Sequence, residues 1–253
     1  MNRNNVLEMS EKQIMTELYS CRICQENLLR GQLCSEFPEA IIGNWHADFI
    51  MIGVNPGKNE ATFNSVKEYI KWYSSNNFTL NWGRCAWGYF EAYKRLATPD
   101  MSDNEIVLEH FNKHAAILNL IKCSTPNTKG ISEKNLERAK DNCIGYLMRQ
   151  LNYMQPKVVL SHGKFATKTM LNLLTNDKFG FKTKGISKLE TRLLTAMNYM
   201  DEISKETIVA YEGTRKMLFL FNKHLSYFGP AMKSLQNNIQ AKKDMVAEVL
   251  RET

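Results

Sequence analysis

Four short apolar runs divide the chain, and each ends at a glycine or is followed by polar residues. The runs cover residues 49–53, 115–123, 156–163 and 216–222. Runs of this length, rich in branched and aromatic residues and bounded by turn signals, are typical of buried strands. Between and beside them, longer stretches of mixed apolar and polar positions predict helices at 6–19, 60–73, 101–114, 132–150, 165–174 and 232–251.

The alternation of strands and helices indicates parallel α/β units. We therefore expect a single three-layer αβα domain over residues 1–253, with a central, mostly parallel four-stranded sheet. Residues 1–47 are expected to form an N-terminal segment. Residues 178–214 have weak periodicity and many lysines, which predicts a surface excursion with one helix near 188–200. We find no internal repeat and no linker.

Composition narrows the class of protein. The chain has 253 residues, 43% of them hydrophobic, which is typical of a globular protein with a sizeable core. No run of eighteen apolar residues occurs, so no membrane span is expected. The first ten residues have no apolar signal core, so we expect a cytoplasmic protein. We also expect the protein to be a monomer. The formal net charge of +7 favours polyanionic partners such as nucleic acid.

Two asparagines stand where chemistry is expected in such a fold. The first run leads into Gly53-Val54-Asn55-Pro56-Gly57, which presents Asn55 at the carboxyl end of a strand, where open α/β sheets bind ligands. A purely structural turn, in which Asn55 bonds its own backbone, is the alternative. Asn119 lies inside the second apolar run, and a buried amide needs partners. It is either a structural bridge or a group that reads a ligand.

Cysteine spacing is the other chemical signal. Six cysteines in a cytoplasmic chain suggest metal or reactive chemistry before disulfides. Cys21 and Cys24 form a CxxC pair, whose two thiolates can reach one metal centre. Zinc, redox and accidental interpretations of a lone pair remain open. Cys34 and Cys85 are interpreted as buried or structural thiols.

Four features occur in a fixed order along the chain. They are the CxxC pair, the strand with its Gly-Val-Asn-Pro-Gly turn, the segment Asn119-Leu-Ile-Lys-Cys123 followed by Cys143 in a helix, and a last strand that runs into the His224-Leu-Ser226 loop. This order resembles the uracil-DNA glycosylase superfamily, especially its iron–sulfur members. The resemblance implies that residues 1–47 contain a cluster-binding segment. It also implies a 4Fe-4S cluster held by Cys21, Cys24, Cys123 and Cys143, with zinc as the alternative for four thiolates.

The resemblance also implies roles for the polar residues. Asn55 matches an asparagine that positions the attacking water, although many iron–sulfur members have an acidic residue and alanine before the Pro-Gly. Asn119 matches the residue that reads the Watson–Crick edge of the extruded pyrimidine, next to Gly53. His224 matches the loop histidine that donates a hydrogen bond to O2 of the departing base. Phe63 is the nearest candidate to stack on the base, with Tyr69 or Tyr73 as substitutes, because the family's glycines are missing there.

Contacts with DNA are expected from the loops that carry these motifs. The lysines nearest to them are Lys58, Lys164 and Lys223, for which solvated surface charge is the alternative. The loop after His224 has Leu225 where the family usually has proline. Leu225, Ser226 and Tyr227 are expected to meet DNA there, and Leu225, Tyr227 or Phe228 would supply the wedge inserted into the duplex.

The resemblance predicts a monofunctional DNA glycosylase active in DNA repair. Such an enzyme flips a damaged or modified base, uracil or another pyrimidine, out of single- or double-stranded DNA and hydrolyses its N-glycosidic bond. No well-placed catalytic lysine is evident, so lyase activity is not expected. The alternatives are a glycosylase that removes modified cytosine from phage DNA in defence, a non-catalytic DNA-binding module, and a redox or zinc-thiolate protein.

Overall fold

The computed structural model describes residues 10–26, 37–57, 61–124, 132–175, 182–183, 199–212, 215–226 and 228–251. The helices are α1 (Glu11–Ser20), α2 (Ile23–Glu26), α3 (Val66–Ser75), α4 (Arg84–Ala97), α5 (Asn104–His114), α6 (Glu133–Met154), α7 (Lys164–Thr175), α8 (Tyr199–Ile203), α9 (Phe228–Leu235) and α10 (Ile239–Arg251). The strands are β1 (Ile42–Gly43), β2 (Phe49–Gly53), β3 (Ala115–Asn119), β4 (Val158–His162), β5 (Lys182–Thr183), β6 (Thr207–Glu212) and β7 (Arg215–Asn222). A short 3₁₀ turn, Leu80–Trp82, precedes α4.

One sheet joins all seven strands in the order β1-β3-β2-β4-β7-β6-β5. Its centre, β3-β2-β4-β7, is parallel and consists of the four strands predicted from the apolar runs. The α/β class and the mostly parallel centre are therefore confirmed. The count of four strands was too low, because β1, β5 and β6 extend the edges antiparallel. Two of these have only two residues each, too few to leave an apolar run in the sequence.

Helices cover both faces of the sheet, which confirms the three-layer arrangement. Ile50 and Ile52 of β2 pack into a core with α1, α3, α6 and α7. Phe49 and Met51 point to the opposite face and pack with α4, α5, α9 and α10. Every residue of β2, β3 and β4 is buried. Burial on both faces explains why these strands read as continuous apolar runs rather than as alternating patterns.

Several helices begin where a polar side chain accepts a hydrogen bond from the first turn, which satisfies backbone N–H groups that the helix leaves unpaired. The capping residues are Ser10, Ser65, Asp103 and Ser132. The predicted last helix is divided in two, because Asn238 takes a left-handed conformation with φ of 55° between α9 and α10. α4 was not predicted as a helix, since its many aromatic residues hide the helical period.

The predicted surface excursion at 178–214 differs from the observed structure at its C-terminal end. β6 lies there and pairs with β7, and its Ile208 and Ala210 are buried in the core. A strand with only alternate residues buried has a weak hydrophobic signal. The helix expected near 188–200 falls mostly outside the described residues. No helix in the described ranges has the length and apolar character needed to cross a membrane.

Candidate functional site

Three polar side chains and one glycine form a row at the carboxyl ends of the four parallel strands. Asn119 pairs in register with Gly53, and His162 pairs with Asn222. The residues two positions earlier in these strands all belong to the core shared with α4. Because side chains alternate between faces along a strand, the row points toward α4 as well. The sequence places Asn119 and Gly53 together, and the structure adds His162 and Asn222.

Gly53 lies where the polar atoms of the row meet α4. A Cβ atom at residue 53 would lie 3.0 Å from Oδ1 of Asn119 and 3.0 Å from Nε2 of His162. It would also lie 3.1 Å from the hydroxyl oxygen of Tyr89, which belongs to α4. The convergence of these polar atoms over one α-carbon therefore favours glycine at this position, because a Cβ atom would force its neighbours to move by a few tenths of an ångström.

The amide of Asn119 is held in one orientation by Glu39. Nδ2 of Asn119 donates to Oε1 of Glu39 at 2.7 Å. This assigns the donor end of the amide to Glu39 and leaves Oδ1 at the Gly53 end. Burial raises the pKa of Glu39 from 4.5 to about 7, although the charge of Lys122 and the bond from Asn119 act against this. Sequence reasoning missed Glu39, since an isolated glutamate carries no local signal.

His162 and Tyr89 form a buried pair beside Asn119. The Nε2 atom of His162 and the hydroxyl of Tyr89 are 2.9 Å apart. Burial, and secondarily the nearby His224, lower the pKa of His162 well below its usual value, so its imidazole is neutral at pH 7. Sequence reasoning missed both residues. A histidine directly before the glycine that ends the third apolar run was the one signal that could have found the pair.

His224 packs against His162, and hydrogen bonds with Ser226 fix its ring. Its Nδ1 atom is 3.3 Å from the backbone nitrogen of Ser226 and 2.6 Å from Oγ of the same residue. Because a backbone N–H can only donate, Nδ1 is an acceptor and the ring proton is on Nε2. Burial lowers the pKa of His224, which favours this neutral form. The rings of His162 and His224 meet edge to face at 5.1 Å between centroids.

Asn55 is half-buried in the turn after β2, as predicted. Its Nδ2 atom donates to the carbonyl oxygen of Pro56 at 3.1 Å. This is the backbone contact that a structural role in the turn requires. The same contact assigns the donor end of the amide, so that Oδ1 is the acceptor end. Leu120 and Ile121 donate to the carbonyls of Gly53 and Val54 and tie this turn to the end of β3.

Most of the described aromatic and apolar residues predicted to contact the base or the DNA are buried. Phe63 is 9% exposed and packs with Phe37, Tyr69 and Trp72, while Tyr69 and Tyr73 are buried. Leu225 is fully buried. The described aromatic of the loop that reaches the surface is Phe228.

The predicted lysines also differ in their surroundings. Lys164 is exposed at the start of α7, next to the carboxyl end of β4. Lys223 pairs with Asp201 at 2.6 Å. Lys58 and Tyr227 lie outside the described residues.

The four predicted cysteine ligands meet at one small cavity. Cys21, Cys24, Cys123 and Cys143 line it together with Lys122, Asn142 and Tyr146, among others. The thiol groups of Cys24 and Cys143 share a hydrogen bond. This bond lowers the pKa of Cys24 to about 6 and raises the pKa of Cys143. Burial lowers the pKa of Lys122 to about 8. Among the described residues, no group of three or more His, Cys, Asp or Glu side chains is placed to hold a metal ion.

Comparison with known proteins identifies a family and a distant relative of the chain. The sequence model of the uracil DNA glycosylase superfamily matches residues 41–246. The type-4 uracil-DNA glycosylase of Archaeoglobus fulgidus is 24% identical over 160 residues, which is 63% of this chain and 63% of that protein. The chain therefore matches less than two thirds of that relative's length. The family match spans the row at the carboxyl ends of the parallel strands as well as the His224 loop.

Proposed function

The chain belongs to the uracil DNA glycosylase superfamily, and from this premise we propose that it is a monofunctional DNA glycosylase. It would hydrolyse the N-glycosidic bond of uracil, or of another damaged or modified pyrimidine, and leave an abasic site. The observation that carries the proposal is the row of Asn119, Gly53 and His162 at one edge of the sheet. His224 packs against His162 at the end of this row, with its ring proton on Nε2. Its substrate would be DNA, and the protein would act as a monomer in repair.

Asn119 would read the extruded base. Its amide is oriented by Glu39, so that Oδ1 can accept from an N–H of the base, while the second Nδ2 proton can donate to a carbonyl oxygen. N3–H and O4 of uracil offer this pair. The neutral His162 adds a further polar group beside Asn119. The alternative substrates are other modified pyrimidines, including modified cytosine in phage DNA.

His224 and Asn55 would carry the bond cleavage. As the bond between C1′ and the base nitrogen breaks, its electron pair moves into the base, and negative charge develops on O2. A neutral Nε2–H of His224 stabilises that charge without placing a full positive charge beside the base. Oδ1 of Asn55 would accept from the water that attacks C1′, so its contribution is positioning rather than proton abstraction. The proton of the water is lost to solvent.

We propose that Cys21, Cys24, Cys123 and Cys143 hold a 4Fe-4S cluster, with zinc as the alternative. Four thiols around one cavity fit the ligand number and the chemistry of such a cluster. The space between them is about 10 Å³, so the segments would have to separate to accept it. When bound, the cluster would supply cross-linking rather than electron transfer, because glycosidic hydrolysis is not a redox reaction. It would fasten residues 1–47 to β3 and α6.

The test is base excision by the purified protein on oligonucleotides that contain uracil, with alkaline cleavage at the abasic site as the readout. DNA with glucosylated or hydroxymethylated cytosine is the second substrate. We expect excision by the wild type, and a loss of at least about 100-fold in Asn55→Ala with DNA binding retained. No excision of any of these bases by folded, iron-containing protein would contradict the proposal and favour a non-catalytic DNA-binding module.

A further inference from the structure

A groove of about 550 Å³ lies between the first turns of α4 and α9. Its lining residues are Arg84, Trp87, Ser226, Phe228, Gly229 and Pro230. Two of them are large aromatic side chains that remain open to solvent: Trp87 is 41% exposed and Phe228 is 39% exposed. A concave surface of this size with accessible aromatic rings is typical of a binding site rather than of an inert surface.

The groove is continuous with the proposed active site. Ser226 lines the groove, and its Oγ atom is 2.6 Å from Nδ1 of His224. On the opposite wall, α4 touches the same loop so closely that a Cβ atom at Gly88 would lie 2.4 Å from the carbonyl oxygen of Leu225. Any molecule that occupies the groove is therefore held directly beside the histidine that faces the base.

Trp87 packs against a buried aromatic ring. The ring of Trp87 meets the ring of Phe90 edge to face, with 5.9 Å between centroids and 84° between planes, and Phe90 is fully buried. A ring that is already fixed loses little conformational freedom when a flat partner binds to it. This favours stacking as the mode of binding.

The charge around the groove favours an anionic partner. None of the six described residues that line it is acidic, and Arg84 is exposed at the start of α4. A second cavity of about 370 Å³ shares Gly229 and Pro230 with it and is lined by Lys223 and Lys233. Among the described residues of that second cavity, Asp201 and Lys223 form an ion pair and offset each other, so the positive charge of the two cavities comes from Arg84 and Lys233. Aromatic rings followed by cations match a strand whose flat bases alternate with phosphates.

We propose that this groove binds a nucleobase of an unpaired DNA strand next to the flipped nucleotide, so that single-stranded DNA is the preferred substrate. A base enters a groove between aromatic side chains only when it is neither paired nor stacked in a duplex. The proposal rests on the proposed glycosylase function and specifies the strand state of its substrate.

The experiment measures the affinity of the full-length protein for a fluorescein-labelled 15-residue oligothymidine and for its duplex with oligodeoxyadenosine. We expect Trp87→Ala and Phe228→Ala each to weaken single-strand binding by about 5- to 100-fold, as is usual when a stacking ring is removed. Trp87→Phe keeps a ring and should restore most of the affinity. Duplex affinity should change by less than about twofold in each variant, because stacking on a protein ring requires an unpaired base.

Trp82→Ala is the matched control. Like Trp87, Trp82 is an exposed tryptophan, with 44% of its surface accessible, and it packs edge to face against a phenylalanine, Phe78. Unlike Trp87, it does not line the groove. It should bind the single strand like the wild type. The proposal is overturned by equal binding of Trp87→Ala and wild type, by an equal loss in Trp82→Ala, or by an equal loss on the duplex. A dimer that Trp87→Ala converts to a monomer would assign the groove to a second copy of the chain instead.

Binding and excision separate this proposal from the function on which it rests. Loss of single-strand binding in Trp87→Ala, together with a wild type that excises no base, would contradict the glycosylase function and retain the groove as a DNA site. Excision by a wild type whose single-strand affinity does not depend on Trp87 would retain the glycosylase and overturn the groove.

Discussion

At the scale of single residues, the site depends on neutral polar groups in buried positions. His162 and His224 are both kept neutral by burial, and their rings touch. A positive charge on either imidazole would cost several kcal/mol, because this buried space has a low dielectric. Neutral donors and acceptors fix the orientation of both imidazoles without that cost. Small changes in their partners should therefore alter recognition as well as stability.

Tyr89→Phe tests the pair formed with His162. The change removes only the hydroxyl that lies 2.9 Å from Nε2, which leaves a buried nitrogen without this partner. We expect the free energy of unfolding to fall by about 1–3 kcal/mol. Excision should also weaken, since His162 lies between Asn119 and His224. Tyr93→Phe is the control, because its hydroxyl bonds His110 outside the site. It should cost stability and leave excision unchanged, and parallel effects of both variants on excision would contradict the role of Tyr89.

Glu39→Gln tests the raised pKa of Glu39. The folded carboxyl keeps its proton up to about pH 7, whereas the unfolded carboxyl loses it near 4.5. The unfolded state therefore binds fewer protons in this window, and stability falls as pH rises through it, by up to about 3 kcal/mol. Glutamine should abolish that fall while still accepting from Asn119. Urea denaturation at several pH values measures the fall in the free energy of unfolding. Glu109→Gln, at an exposed glutamate, is the control. Wild-type and Glu39→Gln curves that run parallel would contradict the assignment.

At the scale of elements, the contact between α4 and the His224 loop sets the geometry of the site. α4 supplies Tyr89 to the polar row, Gly88 to the loop contact and Trp87 to the groove. Three successive residues of one helix thus serve three surfaces, because each is turned about 100° from the next. A displacement of this helix would disturb the polar row and the His224 loop together.

Gly88→Ala tests this contact. A Cβ atom at residue 88 would meet backbone of Leu225 at 2.4 Å, so helix or loop must move. We expect a loss of about 1–3 kcal/mol in stability, as for an overpacked core, and weaker excision. Gly145→Ala is the matched control, since it also lies inside a helix but a Cβ there meets nothing within 4 Å. It should gain about 0.5–1 kcal/mol. Thermal unfolding and excision rates of both variants decide the outcome, and a harmless Gly88→Ala would contradict the close contact.

At the scale of the whole molecule, the cysteine cavity joins parts of the chain that are distant in sequence. Cys21 and Cys24 come from the segment around α1 and α2, whereas Cys123 follows β3 and Cys143 belongs to α6. A cluster bound there would constrain the unfolded chain as a cross-link does, and its binding energy would contribute to folding. Stability of the N-terminal segment should therefore depend on iron.

Cys123→Ala tests the proposed ligand set. We expect the purified variant to lose bound iron and the absorbance of the cluster, and to unfold at lower temperature than the wild type. Cys85→Ala is the control, because Cys85 lies in α4 and does not line the cavity. It should retain full iron content. Iron and absorbance retained in Cys123→Ala would exclude Cys123 as a ligand, and stoichiometric zinc in the wild type would replace the cluster by the alternative.

The sequence by itself determined the central strands and the order of the motifs. Short apolar runs specify buried parallel strands locally, and parallel topology alone places the residues after each run at the carboxyl edge of the sheet. Asn55, Asn119 and His224 were therefore located correctly relative to the sheet. The edge strands were not predicted, because β1 and β5 have only two residues each and β6 buries only alternate residues.

Only the tertiary structure decided which groups complete the site. Glu39 bonds Asn119 across 80 positions, and Tyr89 bonds His162 across 73. Contacts at such separation leave no local pattern, since they depend on how helices pack on the sheet. The same packing buries Leu225 and leaves Trp87 accessible. Local hydrophobic patterning fixed where the candidate site lies, and the docking of α4 on the sheet fixed which side chains surround it.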